Sequence, residues 1–354
     1  MKRAVHAAVL TSLAVLTTAC GDDDDSGPSP ITMVVYDSFP IANTALNDAL
    51  ADFSEETGIG VELLVAGDAG TMVSKAVLTT GTPEGDVMFG VDNTLLSATL
   101  RAEVFEPHKA AGLERVDERL TAVVPGGELT PVDFGDVCIN YDIAWFAERE
   151  LDPPSSLADL VRPEYDGLLV VEDPTTSSPG LAFLLATIAI FGDGGWQDFW
   201  RDLRANDVRV VDSWTTAYYD AFSGSAGSTG DRPLVVSYGS SPPSEVLFAE
   251  VPTDVAPTGV VEASCFRQVE FAGVLRGTEH PDEARRLVDF LIDERFQREL
   301  PLTLFVYPAR ADVALPQVFT RHAVIPERAL TLAPAAIAAN RTAWQDEWAQ
   351  ITLR

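Results

Sequence analysis

Positive charge is scarce in this chain. Its 354 residues carry 24 Lys and Arg against 54 Asp and Glu, a formal charge of −30, and lysine occurs at positions 2, 75 and 109 alone. Such a surface repels a phosphate backbone, which excludes nucleic acid as a partner. It favours a cationic ligand, although solubility or a salty habitat accounts for the same figure. Histidine is equally sparse: His6, His108, His280 and His322 lie far apart and away from any cysteine, so no zinc-ligand spacing arises. No HExxH, GxSxG or phosphate-loop pattern occurs, and a surface hydrolase is therefore a minor reading. No catalytic residue, resident cofactor or metal is expected. Cysteine appears three times, at 20, 138 and 265, and no internal repeat is visible.

What the chain does have begins with its first thirty residues. Lys2 and Arg3 precede a mostly apolar run, Ala4 to Leu16, that is too short for a comfortable membrane span. Thr17, Thr18 and Ala19 then lead to Cys20, the order of a secretory signal over 1–19. A small residue directly before a cysteine at this position resembles a bacterial lipobox, with Thr17 where leucine is commonest. That resemblance implies a lipidated Cys20 as first residue of the mature chain. Each buried acyl methylene contributes about 0.8 kcal/mol to such an anchor. Asp22 to Asp25, Ser26, Gly27 and two prolines follow; they bury too little apolar surface to fold, so 20–30 reads as a lipid anchor and acidic tether. The protein is expected outside the cytoplasmic membrane, periplasmic or at the cell surface, with the anchor as its sole membrane contact. Cys138 and Cys265 then remain as an even pair in an oxidising compartment. A disulfide between them is expected, two buried free thiols being the alternative.

From Ile31 the pattern alternates strand and helix. Apolar runs at 31–36, 61–66 and 86–90 read as strands, and Thr44–Thr57 and 71–80 as helices, with Gly58 as a stop. The middle repeats this with strands at 137–142, 167–173, 208–213 and 233–239 and a buried helix at 180–191. Pro281 opens an amphipathic helix, and helices at about 327–339 and 341–351 close the chain. The expectation is an α/β fold of two lobes with parallel sheets, the ligand cleft lying between them at strand ends. Residues 31–133 with about 265–300 form the first lobe and 134–264 the second, and 301–354 packs across both. The chain is expected to cross between lobes near 132–138 and 262–271. The Cys138–Cys265 bridge would then sit near the hinge and limit opening.

Aromatic and small polar residues gather just past these strand ends. They are Tyr36 and Asp37; Asp68, Ala69 and Gly70; Ser177 and Ser178 before a helix; Trp214, Tyr218 and Tyr219; and Tyr238, Gly239, Ser240 and Ser241. Singly, capping or core packing explains each. Five such stretches at corresponding strand ends point to a shared cleft.

The segments "YDSF" (36–39), "GVDNTLL" (90–96), "EDPTTSSPGL" (172–181), "SWTTAY" (213–218), "VVSYGSSP" (235–242), "VYPA" (306–309) and "AANRTAWQDEW" (338–348) occur in that order. The chain thereby resembles the periplasmic thiamine-binding proteins of bacterial ABC importers. The resemblance implies a type II-like two-lobed receptor without catalytic activity, expected as a monomer. It would close on thiamine or its mono- or diphosphate and dock on a permease and ATPase. It places Asp68-Ala69-Gly70, Ser177-Ser178, Trp214 and Tyr238 through Ser241 at the ligand, with Tyr36 as a further wall. Aromatic faces suit the thiazolium cation, and the two serines a hydroxyethyl oxygen or a phosphate. The chain departs from the pattern at Ala69, where an acid is usual, near Ser244, where a tyrosine is usual, and at Phe305, where a tryptophan is usual. Adjacent Tyr218 and Tyr219 also resemble the phenolate pair of ferric-iron receptors, the alternative reading.

Overall fold

The computed structural model describes residues 30–124 and 126–353. The expected export signal, Cys20 and the tether up to residue 29 lie outside the described residues. Strands β1 (Ile31–Val35), β2 (Val61–Val65) and β3 (Val87–Asp92) form a parallel group. Short β4 (Phe105–Glu106) leads to β5 (Thr130–Asp142). A second parallel group comprises β6 (Leu169–Glu172), β7 (Arg209–Val211) and β8 (Leu234–Tyr238). β9 (Thr258–Leu275) and β10 (Tyr307–Pro308) complete one continuous sheet, in the order β2-β1-β3-β9-β5-β8-β6-β7.

The long strands β5 and β9 run antiparallel through the centre and belong to both groups. The C-terminal part of β9 pairs with β3, and the C-terminal part of β5 pairs with β8. Two α/β halves are thus joined by one crossed strand pair. Cys138 and Cys265 are disulfide-bonded within it, their Cα atoms 4.2 Å apart. The ladder runs from Val137↔Phe266 to Ile139↔Val261, so Cys138 stands opposite a four-residue bulge, 262–265. Ser264 Oγ accepts the Ile139 N–H at 2.8 Å and helps hold that bulge. The bridge therefore ties neighbouring strands on the β8 side and fixes the bulge's shape; it does not span from one half to the other.

The first helix shows how local sequence sets these elements. In α1 (Ala45–Thr57), Thr44 caps the start by accepting the Asn47 N–H, and Gly58 at φ 73° ends it. Leu46, Ala49, Leu50 and Phe53 bury one face. α2 is Ala69–Leu78. α3 (Ser178–Ala205) continues well past residue 191, because Gly192 and Gly194 at positive φ break the helix and a second segment resumes. Leu181 to Ala186 are fully or nearly fully buried, which explains the apolar run. α4 is Pro242–Leu247 and α5 is Pro281–Leu291.

The chain's end corrects the expectation of two closing helices. One helix, α6 (Pro334–Thr352), forms instead. Nothing at 339–341 breaks it, whereas the stretch before Pro334 is drawn onto the β9 bulge: Leu330 N–H donates to Cys265 O and Arg267 N–H to Leu330 O. α6 touches both halves. Arg101 donates to Ala338 O at 2.9 Å, Arg204 to Ile351 O at 2.8 Å and Gln345 to Pro174 O at 2.6 Å. Fully buried Trp348 meets Trp200 edge-to-face at 5.6 Å.

Two stability changes follow. Trp348→Ala is expected to cost about 3–5 kcal/mol in urea unfolding; a loss under about 1 kcal/mol would mean that α6 is not part of the cooperative unit. Replacing Cys138 and Cys265 by serine releases a loop of 127 residues and should cost at most about 4–5 kcal/mol, read as a lower denaturant midpoint under oxidising conditions.

Candidate functional site

Three helices start, and the two parallel groups end, around one cleft of about 210 Å³. From the first half, Tyr36, Asp37 and Ser38 follow β1, while Asp68 and Ala69 begin α2. From the second, Ser178 and Pro179 open α3, Trp214 follows β7, and Tyr238 and Ser241 link β8 to α4. Glu270 on β9 and the segment Thr303–Val306 close the space at the strand crossing. Of the sequence candidates, Tyr36, Asp68, Ala69, Ser178, Trp214, Tyr238, Ser241 and Phe305 line the cleft.

Gly70, Ser177, Gly239 and Ser240 do not; they shape the backbone behind it. A Cβ at Gly70 would come within 2.5 Å of Thr176 O, so only glycine lets α2 abut the turn before α3. Gly239 is similarly pressed against Val324 O, and Ser177 and Ser240 are buried.

Trp214 is the centre of the aromatic wall. Its ring stacks on Tyr218 at 4.9 Å and 16°, with Tyr219 edge-on at 5.5 Å. Its Nε1 donates to Ser237 Oγ at 3.0 Å, and Ser237 in turn contacts Ser241 Oγ at 2.9 Å. The indole is therefore held in orientation by packing on one side and a hydrogen bond at its edge. The departures noted in sequence sit on the same walls. Ser244 donates to Ser241 O at 2.8 Å, and Phe305, at φ 56°, meets Phe248 with centroids 6.0 Å apart.

The electrostatics are one-sided. Asp68 crosses between the halves: its Oδ2 accepts the Trp214 N–H at 3.1 Å and its Oδ1 the Ser178 N–H at 3.3 Å. Burial lifts its pKa to about 6 despite those bonds. Ser178 Oγ donates to Asp92, which also accepts from Gln268 at 3.1 Å. Glu270 faces Asp133 across the β5–β9 ladder and accepts from Tyr36 OH at 3.4 Å. Burial pushes both of these acids up, Glu270 further through the charge of Asp133. Glu172 is raised by burial too. Among the described residues, no lysine, arginine or histidine lines the cleft. A carboxylate buried without a cation is costly, and a ligand carrying positive charge relieves that cost.

Sequence reading missed Phe248, Thr303, Leu304 and Glu270. Glu270 had a signal, a lone acid inside the apolar strand run "QVEFAGVL". The others reach the cleft by chain crossings that no local pattern records.

The fold and the site invite comparison with known proteins. The family model of bacterial extracellular solute-binding proteins matches residues 85–333. The thiamine-binding periplasmic protein of Salmonella typhimurium is 30% identical, over 92% of this chain and 94% of its own. A solved periplasmic thiamin binding protein superposes with a TM-score of 0.77 at 26% identity, covering 92% of this chain and 97% of that one. Iron-bound HitA from Pseudomonas aeruginosa gives 0.69 at 20% identity, over 90% and 99%, a likeness of fold alone. The two-lobed α/β architecture is common to these structures, and its members bind solutes without catalysing a reaction. This chain belongs to the bacterial extracellular solute-binding proteins.

Proposed function

We propose that this chain is the receptor of an ABC importer, anchored through lipidated Cys20, that captures thiamine and delivers it to a membrane permease driven by an ATPase. One observation carries the reading. A held indole, Trp214, and the carboxylates of Asp37, Asp68 and Glu270 share a cleft with no cationic side chain among the described residues. Thiamine combines a flat aminopyrimidine with a permanently positive thiazolium. The first stacks on aromatic walls and the second is attracted to ring faces and carboxylates. The names of the relatives support the same ligand. Opening would bend the β5–β9 crossing and part Asp68 of the first lobe from Trp214 and Ser178 of the second, whose N–H groups it accepts here. Ligand binding then shifts an open–closed equilibrium.

The iron reading fares less well. Tyr218 is buried and its hydroxyl donates to Glu245 at 2.7 Å, while Tyr219 is 50% exposed. Burial first, then the Glu245 charge, raises Tyr218 well above the usual phenol range. An iron-ligating phenolate would have to give up that proton against both effects.

Titration calorimetry should give one thiamine per chain, with Trp214→Ala weakening it about 10–100-fold. An absence of heat with thiamine, together with a coloured complex on adding ferric iron, would replace this reading by the iron one.

The pH dependence has a definite sign. Unfolded carboxyls titrate near about 4, whereas Asp68 in the empty fold holds its proton to about 6 and Asp133 and Glu270 are raised as well. Their contribution to stability is therefore full at acid pH and lost as pH rises through about 6 and beyond. A bound cation favours the ionised forms. The empty protein should melt lower at about pH 8 than at about pH 5, while the thiamine-induced rise in melting temperature grows over that window. A ligand effect that shrinks with rising pH would contradict the carboxylate assignment.

A further inference from the structure

We propose that Phe248 is a ligand-retaining residue of this receptor: with Phe305 it forms an aromatic clasp across the mouth of the cleft and slows release of what is bound. The inference rests on the thiamine reading and deepens it by naming the step at which Phe248 acts.

Phe248 lines the cleft and is nevertheless 63% exposed, so its ring stands where the cleft meets solvent. An aromatic ring left that uncovered forgoes the gain of burial, and a ligand seated beside it restores part of that gain. Phe248 follows α4 directly, and its N–H donates to Ser244 O at 2.9 Å, which fixes it as the helix's last turn. Ser244, one turn earlier on the same helix face, also lines the cleft. It offers only a hydroxyl, which donates to Ser241 O at 2.8 Å. Phe248 is therefore the ring that α4 brings to this space.

Phe305 meets it from the other half of the molecule. The segment before Phe305 is anchored there: Arg295 donates to Glu56 of α1 at 2.6 Å, and Phe296 packs on Phe89 of β3 with centroids 6.3 Å apart. Phe305 itself has φ 56°, a left-handed backbone that a residue with a Cβ seldom adopts. Its N–H donates to Leu300 O at 3.1 Å, and Tyr307 pairs with Phe134 of β5 two residues on, so both sides hold it in that conformation. An unfavourable backbone maintained at a cleft marks a position whose side chain has a task. The two rings meet edge-to-face, 6.0 Å apart at 72°, a favourable aromatic geometry.

Because the rings come from opposite halves, their contact is lost when the cleft opens. It contributes nothing to the encounter of ligand with the open receptor, and it must break before the ligand leaves. Covering the mouth also keeps out water that would weaken the attraction of a thiazolium for Asp37, Asp68 and Glu270.

The test is stopped-flow tryptophan fluorescence of the full chain with thiamine, read as separate association and release rates. Phe248→Ala should release thiamine about 5–50-fold faster, with association changed less than about twofold. Phe248→Tyr keeps the ring and should release at the unaltered rate. Adding Ser244→Tyr to Phe248→Ala returns a ring one turn earlier and should recover most of the loss. Leu247→Ala, at an exposed neighbour outside the cleft, should alter neither rate. Unchanged release in Phe248→Ala, or an effect on association alone, would overturn the inference while leaving the thiamine reading intact. No binding of thiamine by the unaltered chain would overturn that reading and this inference with it.

Discussion

The pairing of β5 with β9 is the constraint on which the rest of this molecule depends. Two strands of 13 and 18 residues cross the centre of one sheet, and each gives one end to either parallel group. Every cleft residue is placed relative to that crossing. The bulge at 262–265 is held from one side by the Cys138–Cys265 bridge and from the other by the backbone of Leu330. This fixes register, and a shift by one residue would turn Glu270 away from the cleft. It also determines how the chain ends, since the segment tied to the bulge cannot be helical and α6 must wait for Pro334.

Onto this scaffold the sequence loads carboxylates where a soluble core would exclude them. Asp92, Asp133 and Glu172 are fully buried and Asp68 and Glu270 nearly so. Away from the cleft, buried Asp136 by contrast receives the Arg267 guanidinium at 2.6 Å. The contrast is local, and it coincides with the cleft. Desolvated acids without a counter-charge destabilise the empty fold. They are tolerable where a ligand supplies the missing charge, which is the usual bargain of a binding site that sacrifices stability for affinity.

Much of the fold was legible in the sequence. Alternating β-branched runs and helical periods gave both parallel groups, because strand and helix spacing are local properties and the caps Thr44 and Gly58 mark ends within a few residues. The aromatic and acidic stretches past strand ends were legible for a related reason: in such sheets the carboxyl ends of strands converge on one edge. Where reading failed, a distant contact overrode local pattern. The stretch 327–333 has helical composition but is claimed by β9, and Gly192 with Gly194 bends a helix that resumes because Trp196 and Trp200 find a core.

What the sequence by itself determined is therefore the class of element at each position, the acidity of the molecule and the identity of the residues at strand ends. What tertiary structure alone decided is which of those residues face the ligand and what they are free to do. Gly70 and Gly239 support the wall, while Asp68 and Ser178 form it. Ser178, whose position before a helix suggests an anion contact, spends its donors on Asp68 and Asp92, 110 and 86 residues away. The physical reason is that a hydrogen-bond donor's availability depends on every acceptor the fold brings within reach, and no local pattern contains that information.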